Sequence, residues 1–151
     1  MIILDTNVLS AVMRTQPDAA VATWLDAQVR SSIWTTAITI FEIRVGIATM
    51  SVGRRQVELQ TGFQRVIDHF IRDRVAAFDE SAAEETAALA AERQRAGRPH
   101  DLRDSMIAGI AIAHRAPLAT RNTRHFADLS VPVIDPWIDP WIDPWTDPRQ
   151  A

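Results

Sequence analysis

The chain has 151 residues, 47% of them hydrophobic, enough for one domain to bury a core without disulfide or metal support. It has no Cys and no Tyr, and all 16 of its basic residues are Arg, which excludes disulfides, thiolate metal sites, Schiff-base chemistry, a P-loop Lys and Cys or Tyr nucleophiles. The net charge of −3 resides in a tail, Asp135 to Ala151, with four Asp and one Arg; the body is neutral, so any nucleic-acid contact must come from a local Arg cluster.

The opening MIILDTNV has neither a basic leader nor a cleavage site, and no later run approaches the roughly 18 apolar residues of a membrane span. The expectation is a soluble, cytoplasmic protein. Ile2 to Leu4 read as a buried parallel strand that stops at Asp5, on the polar edge of the sheet. Asp18 precedes a helical stretch with Val21, Trp24, Leu25 and Gln28/Val29 on one side, and Ser31 to Thr36 read as the next strand. A helix over Thr39 to Thr49 is opened by Thr39 with Glu42 three residues on, a capping-box pattern. Val52 to Phe70 repeats apolar residues every three or four positions and predicts one long amphipathic helix.

Val75 to Phe78 is a candidate strand. Ser81 with Glu84 forms a second capping-box pattern before an Ala-rich helix that ends at Arg95, stopped by Gly97 and Pro99. Asp101 to His114 predicts a strongly apolar helix, and the short runs Leu118 to Thr120 and Val131 to Ile134 predict strands around the loop RNTRHFADLS. The alternation argues an α/β domain over residues 1–134 with a mainly parallel sheet. Beyond it, VIDP, WIDP, WIDP and WTDP repeat with a Pro at every fourth position, which forbids helix and central strand. Residues 135–151 are therefore expected to form an exposed, non-catalytic tail, with partner docking through the repeated Trp as the alternative.

Carboxylates dominate what chemistry remains. Ligands of open α/β sheets gather beyond the carboxyl ends of the strands. Asp5 is predicted at such an end, and Glu42 and Asp104 in the first turns of helices. Each also has a local explanation: Asp5 as a turn cap, Glu42 closing the capping box, and Asp104 and Asp101 favouring a helix N-terminus electrostatically. The four His, at positions 69, 100, 114 and 125, show no ligand spacing, and His125 is expected only to hydrogen-bond within its loop.

In order along residues 1 to about 137, ILDTNVLS, TIFE at Thr39–Glu42, RDSMIAGIA around Asp104, LATRN at Leu118–Asn122, HF at His125–Phe126 and VIDPW at Val133–Trp137 resemble PIN-domain ribonucleases, specifically VapC-type toxins of toxin–antitoxin pairs. The resemblance implies a three-layer α/β/α domain with Asp5, Glu42 and Asp104 lining one pocket as catalytic and metal-binding acids. Oxygen ligands and retained waters suit Mg²⁺, with Mn²⁺ an alternative, and the cation would relieve the repulsion among three clustered carboxylates. The implied reaction is metal-dependent hydrolysis of an RNA phosphodiester without a covalent enzyme intermediate.

Many such proteins carry a fourth acid where this chain has Asn122, so a second metal ion is in question. Asp101 is a candidate substitute, and Thr6, Asn7 and Thr120 are candidates for water positioning or ligand support. Arg121 and Arg124, with Arg44 and Arg103, are candidates for RNA phosphates. The resemblance also implies a homodimer and a small antitoxin whose C-terminal segment crosses the pocket, in a hetero-oligomer that reaches operator DNA only through the antitoxin. Two rival readings are a weakly catalytic or inactive PIN-like partner in operator autoregulation, and a phosphatase forming an aspartyl-phosphate at Asp5. The phosphatase would want a second acid two residues on, where Asn7 stands.

Overall fold

A computed structural model describes residues 1–98 and 101–139, so Pro99, His100 and the repeats from residue 140 on lie outside the described residues. Five parallel strands, β1 (Ile2–Leu4), β2 (Ile33–Thr36), β3 (Val75–Ala76), β4 (Leu118–Ala119) and β5 (Val133–Ile134), form one sheet in the order β3-β2-β1-β4-β5. Ile3 pairs with Trp34 on one side and Leu118 on the other, so β1 is central. Chain order runs outward from β1 in both directions. That reversal opens a crevice beyond the carboxyl ends of β1, β2 and β4, where the helices leave on opposite faces of the sheet.

Alternation along β1 builds the three layers. Ile2 and Leu4 enter one core cluster with Val8, Val21, Trp24, Ile43 and Phe63, while Ile3 enters another with Ile107, Ile110, Leu118 and Phe126. The first cluster is covered by α1 (Thr6–Val12), α2 (Ala19–Asp26), α3 (Ala37–Ala48) and α4 (Arg54–Arg65); the second by α5 (Glu80–Arg95) and α6 (Leu102–Ala113). Helices α5 and α6 pack closely because position 109 is Gly: a Cβ there would lie 2.0 Å from Thr86 Oγ1 and 2.7 Å from the Ala82 carbonyl oxygen.

Several boundaries differ from the sequence reading. Helix α1 was not expected; its seven residues are too few for periodicity to register, and it exists because Asp5 caps it and Val8, Leu9 and Ala11 are buried. Helix α3 begins at Ala37, not Thr39, because Thr36 ends β2 in extended geometry and its Oγ1 accepts the Thr39 N–H at 2.9 Å. Glu42 therefore lies in the second turn and closes no capping box. Asp79, not Ser81, caps α5 by accepting the Ala82 N–H at 3.0 Å.

The long helix expected over Val52 to Phe70 starts at Arg54 and leaves Val52 95% exposed. From Val66 to Ile71 it widens into a π-helical turn, which buries Ile71 and brings Arg74 Nε within 2.8 Å of the Ile33 carbonyl on β2. The strands at Val75, Leu118 and Val131 are shorter than expected. The first residues of the expected exposed tail are packed instead: Asp135 and Pro136 are buried, and Trp137 leans on the first core cluster. No helix among the described residues is long and apolar enough to cross a membrane.

Candidate active site

The crevice holds a pocket of about 400 Å³ lined by Asp5, Glu42 and Asp104 together with Thr6, Asn7 and Asn122. The three acids reach it by different routes. Asp5 is the first residue after β1, Glu42 projects from the second turn of α3, and Asp104 belongs to the first turn of α6.

Asp5 is 5% exposed and its carboxylate is held from three sides. Oδ1 accepts the Thr6 N–H at 2.6 Å, and Oδ2 accepts the Thr120 hydroxyl at 2.7 Å and the Asn7 amide at 3.0 Å. Burial raises its pKa to about 6; the bonds from Thr120 and Thr6 oppose that rise, and the charges of Asp104 and Glu42 add to it. Thr120 is the residue after β4, so the contact ties the ends of two adjacent strands. Its Oγ1 also accepts the main-chain N–H of Asn122 at 3.0 Å, and Asn7 Oδ1 accepts that of Arg121 at 2.9 Å. Thr6 and Asn7, whose sequence positions suited a plain turn nearly as well, thus hold the Asp5 carboxylate and the 120–122 loop together with Thr120.

Glu42 accepts the Thr6 hydroxyl and faces Arg103 Nε at 3.5 Å. Its carboxylate lines the pocket and makes no contact at the helix start. Asp104 Oδ2 lies 2.8 Å from His125 Nδ1, which is 2.7 Å from the Asn122 side-chain amide. His125 is thereby a loop hydrogen-bonding residue, as expected, and its partner is one of the site acids.

Asp101 takes the local role: it caps α6 by accepting the Arg103 N–H at 2.8 Å and pairs with the Arg103 side chain, which lowers its pKa. It does not line this pocket but a neighbouring cavity, which it shares with Asp104. Arg121 lines the pocket, whereas Arg124 sits in a neighbouring cavity that also touches Asp104 and His125. Arg44 is elsewhere, stacked over Phe63 at 5.5 Å, which removes it from the phosphate candidates at this pocket.

Side chains that the sequence reading passed over complete the site. Arg14, Asp18 and Trp137 line the same pocket, and Trp137 Nε1 donates to Asp18 Oδ2 at 3.0 Å. Behind the site lies Arg93, 4% exposed, whose guanidinium grips Asp128 through Nε at 2.9 Å and Nη2 at 2.8 Å, Ser105 Oγ at 3.1 Å and the His125 carbonyl at 2.8 Å. It joins α5 to Ser105, the residue after Asp104, and to the main chain of His125. Nothing short of the tertiary contact distinguished this Arg from the other fifteen, whereas Trp137 stood within the VIDPW motif.

The donor set consists of oxygen alone, which suits a hard divalent cation. Among the described residues no three His, Asp or Glu side chains converge as a closed ligand group. A Mg²⁺-like ion does not require one, since it keeps several waters and takes one or two direct carboxylates. The pre-held Asp5, with Asp104 and Glu42 lining the same pocket, fits that mode.

Comparison with known proteins agrees with the geometry. The PIN domain family model matches residues 2–131. The plasmid stability protein StbB of Pseudomonas syringae pv. tomato is 39% identical over 137 residues, covering 91% of this chain and 99% of the relative. The VapC ribonuclease Y4jK of Sinorhizobium fredii is 36% identical over 137 residues, covering 91% and 98%. A solved structure of FitAB bound to an IR36 DNA fragment superposes with a TM-score of 0.81 at 33% identity, covering 93% of this chain and 99% of the other.

Proposed function

The chain belongs to the PIN-domain family and is of the VapC type, and from that premise we propose that it is a divalent-metal-dependent ribonuclease acting as the toxin of a toxin–antitoxin pair. The observation that carries the reading is that Asp5, Glu42 and Asp104, distant in sequence, line one pocket at the reversal point of the sheet. Mg²⁺ is the expected ion and Mn²⁺ a substitute, held by Asp5 and Asp104 with Glu42 as third acid.

A bound cation supplies Lewis acidity toward the phosphate and positive charge for the leaving oxygen. The chain's own residues do the rest. The three hydrogen bonds to Asp5 fix its carboxylate so that little reorganisation accompanies the reaction. Thr6 and Arg103 orient Glu42, and His125 orients Asp104 through Oδ2, which leaves Asp104 Oδ1 to bind or accept a proton from the attacking water. Asn122 adds a neutral donor and acceptor to the wall, so a second cation would find less charge than a fourth acid gives. Specificity for RNA class lies in loop contacts outside this core.

The partner in this reading is a small antitoxin that covers the pocket, with operator DNA reached through it and a homodimer as the toxin's own assembly. The experiment is growth arrest on expression, together with cleavage of purified transfer, messenger and ribosomal RNA in Mg²⁺, Mn²⁺ or EDTA. Wild type should cut only with metal, and Asp5→Ala, Glu42→Ala and Asp104→Ala, each shown to fold, should not cut. A folded wild type inactive on every RNA class, or variants that cut equally well, would overturn the reading.

A further inference from the structure

The pocket contains a second set of side chains, linked in series and separate from the acids. Trp137 donates its main-chain N–H to Asp135 Oδ1 at 2.9 Å and its indole N–H to Asp18 Oδ2 at 3.0 Å, so both its backbone and its ring are fixed. The Arg121 guanidinium carbon lies 5.1 Å from the centre of that ring. The Arg121 main chain is itself held by Asn7 Oδ1, and Asn7 donates to Asp5 Oδ2. Arg121 is therefore fixed at its backbone to the acid site and at its side chain to the indole.

Its guanidinium differs from those of Arg93 and Arg103 in what it contacts. Arg93 spends its donors on Asp128, Ser105 and a carbonyl, and Arg103 faces Asp101 and Glu42. Among the described residues no carboxylate stands within ion-pair distance of Arg121, although its charge helps to lower the Asp18 pKa. An exposed Arg ordinarily spreads over many rotamers; stacking on a fixed aromatic face narrows them and leaves its forked N–H donors pointed at solvent in the pocket. A preorganised fork of this kind matches the paired oxygens of a phosphodiester.

We propose that Arg121, positioned by Trp137 and Asp18, binds a backbone phosphate of single-stranded RNA beside the scissile bond. The proposal rests on the ribonuclease reading for the identity of the ligand. Trp137 is a positioning residue here: it acts through Arg121 and touches no reacting atom.

The test is the salt dependence of binding of a fluorescein-labelled single-stranded RNA, read by anisotropy without divalent cation so that no cleavage intrudes. Each phosphate contact to single-stranded nucleic acid contributes about 0.7 to the slope of log affinity against log salt. Arg121→Ala should lower the slope by about that amount and weaken binding about tenfold. Trp137→Ala, which removes no charge, should do the same, and the double variant should be no weaker than either single one. Trp137→Phe, which keeps a ring beneath the guanidinium, should retain most of the wild-type slope.

A wild-type slope in a folded Trp137→Ala, additive losses in the double variant, or a Trp137→Phe that matches Arg121→Ala would overturn the proposal. Absence of RNA binding by wild type would overturn the proposal, while the ribonuclease reading is decided separately by cleavage in Mg²⁺. Binding with the expected slopes but no cleavage in Mg²⁺ would overturn the ribonuclease reading alone.

Discussion

The Thr120 hydroxyl donates to Asp5 Oδ2 at 2.7 Å across 115 positions of sequence, joining the residue after β4 to the residue after β1. Of the bonds that oppose the burial-driven rise of the Asp5 pKa, this one has the largest effect. Thr120→Val keeps the shape and removes the donor, so the Asp5 pKa should climb further above 6. Carboxyl ¹³C NMR titration of the metal-free protein checks this, and an unmoved Asp5 titration would refute it.

Asp5 also predicts a pH dependence opposite in sign to that of most carboxylates. Its pKa is raised from 3.8 to about 6 on folding, so the native state binds the proton more tightly than the unfolded chain. The stabilisation is complete below pH 3.8 and is lost as pH rises towards 6, a contribution on the order of 3 kcal/mol. Urea unfolding in EDTA should therefore show the stability of Asp5→Asn relative to wild type increasing between pH 4 and 7, by roughly that amount. Comparing variant with wild type cancels the opposing trend of Asp18, Asp101 and Asp128, whose lowered pKa values favour the fold above their titration range. A constant difference across this range would contradict the prediction.

Arg93 is the most deeply buried charge in the second layer, and its bidentate pair with Asp128 lowers the Asp128 pKa. Arg93→Met should destabilise the protein by about 2–4 kcal/mol. This lies towards the lower part of the range for a broken buried pair, because Asp128 remains 21% exposed and partly screened. Denaturant midpoints measure the loss. Because Arg93 also holds Ser105 and the His125 carbonyl, cleavage should fall in this variant even where it remains folded.

Asn122→Asp places a fourth acid on the pocket wall. The metal-free variant should be less stable than wild type through repulsion with Asp5 and Asp104, and divalent cation should bind about tenfold more tightly. Calorimetric titration with Mn²⁺ reads both the affinity and the number of ions; an unchanged affinity would show that position 122 stands outside the cation's reach.

How much of this was legible in the sequence follows from which interactions are local. An apolar triplet ending in Asp5, the start of an apolar helix near Asp104 and the alternation of strand and helix patterns are properties of short windows, and they sufficed for the α/β class; the three acids each had a local explanation and were singled out by the ordered motifs that resemble the PIN-domain family. Glu42 was found for a motif that also permitted a capping role. The capping role fell away only with the tertiary structure, in which Thr36 caps α3 and the Glu42 carboxylate accepts from Thr6.

The tertiary structure alone decided the rest, because strand order sets which distant residues become neighbours. Placing β4 beside β1 brings Thr120 to Asp5. Adding β5 beyond β4 returns the chain at Asp135, so that Trp137 meets Asp18 across 119 positions and supports Arg121. The sequence by itself determined which groups could do chemistry and on which elements they ride. The long-range parallel pairing, stabilised by burial on both faces of the sheet, decided which of them share a pocket and which, such as Arg44 and Asp101, are spent on packing and capping.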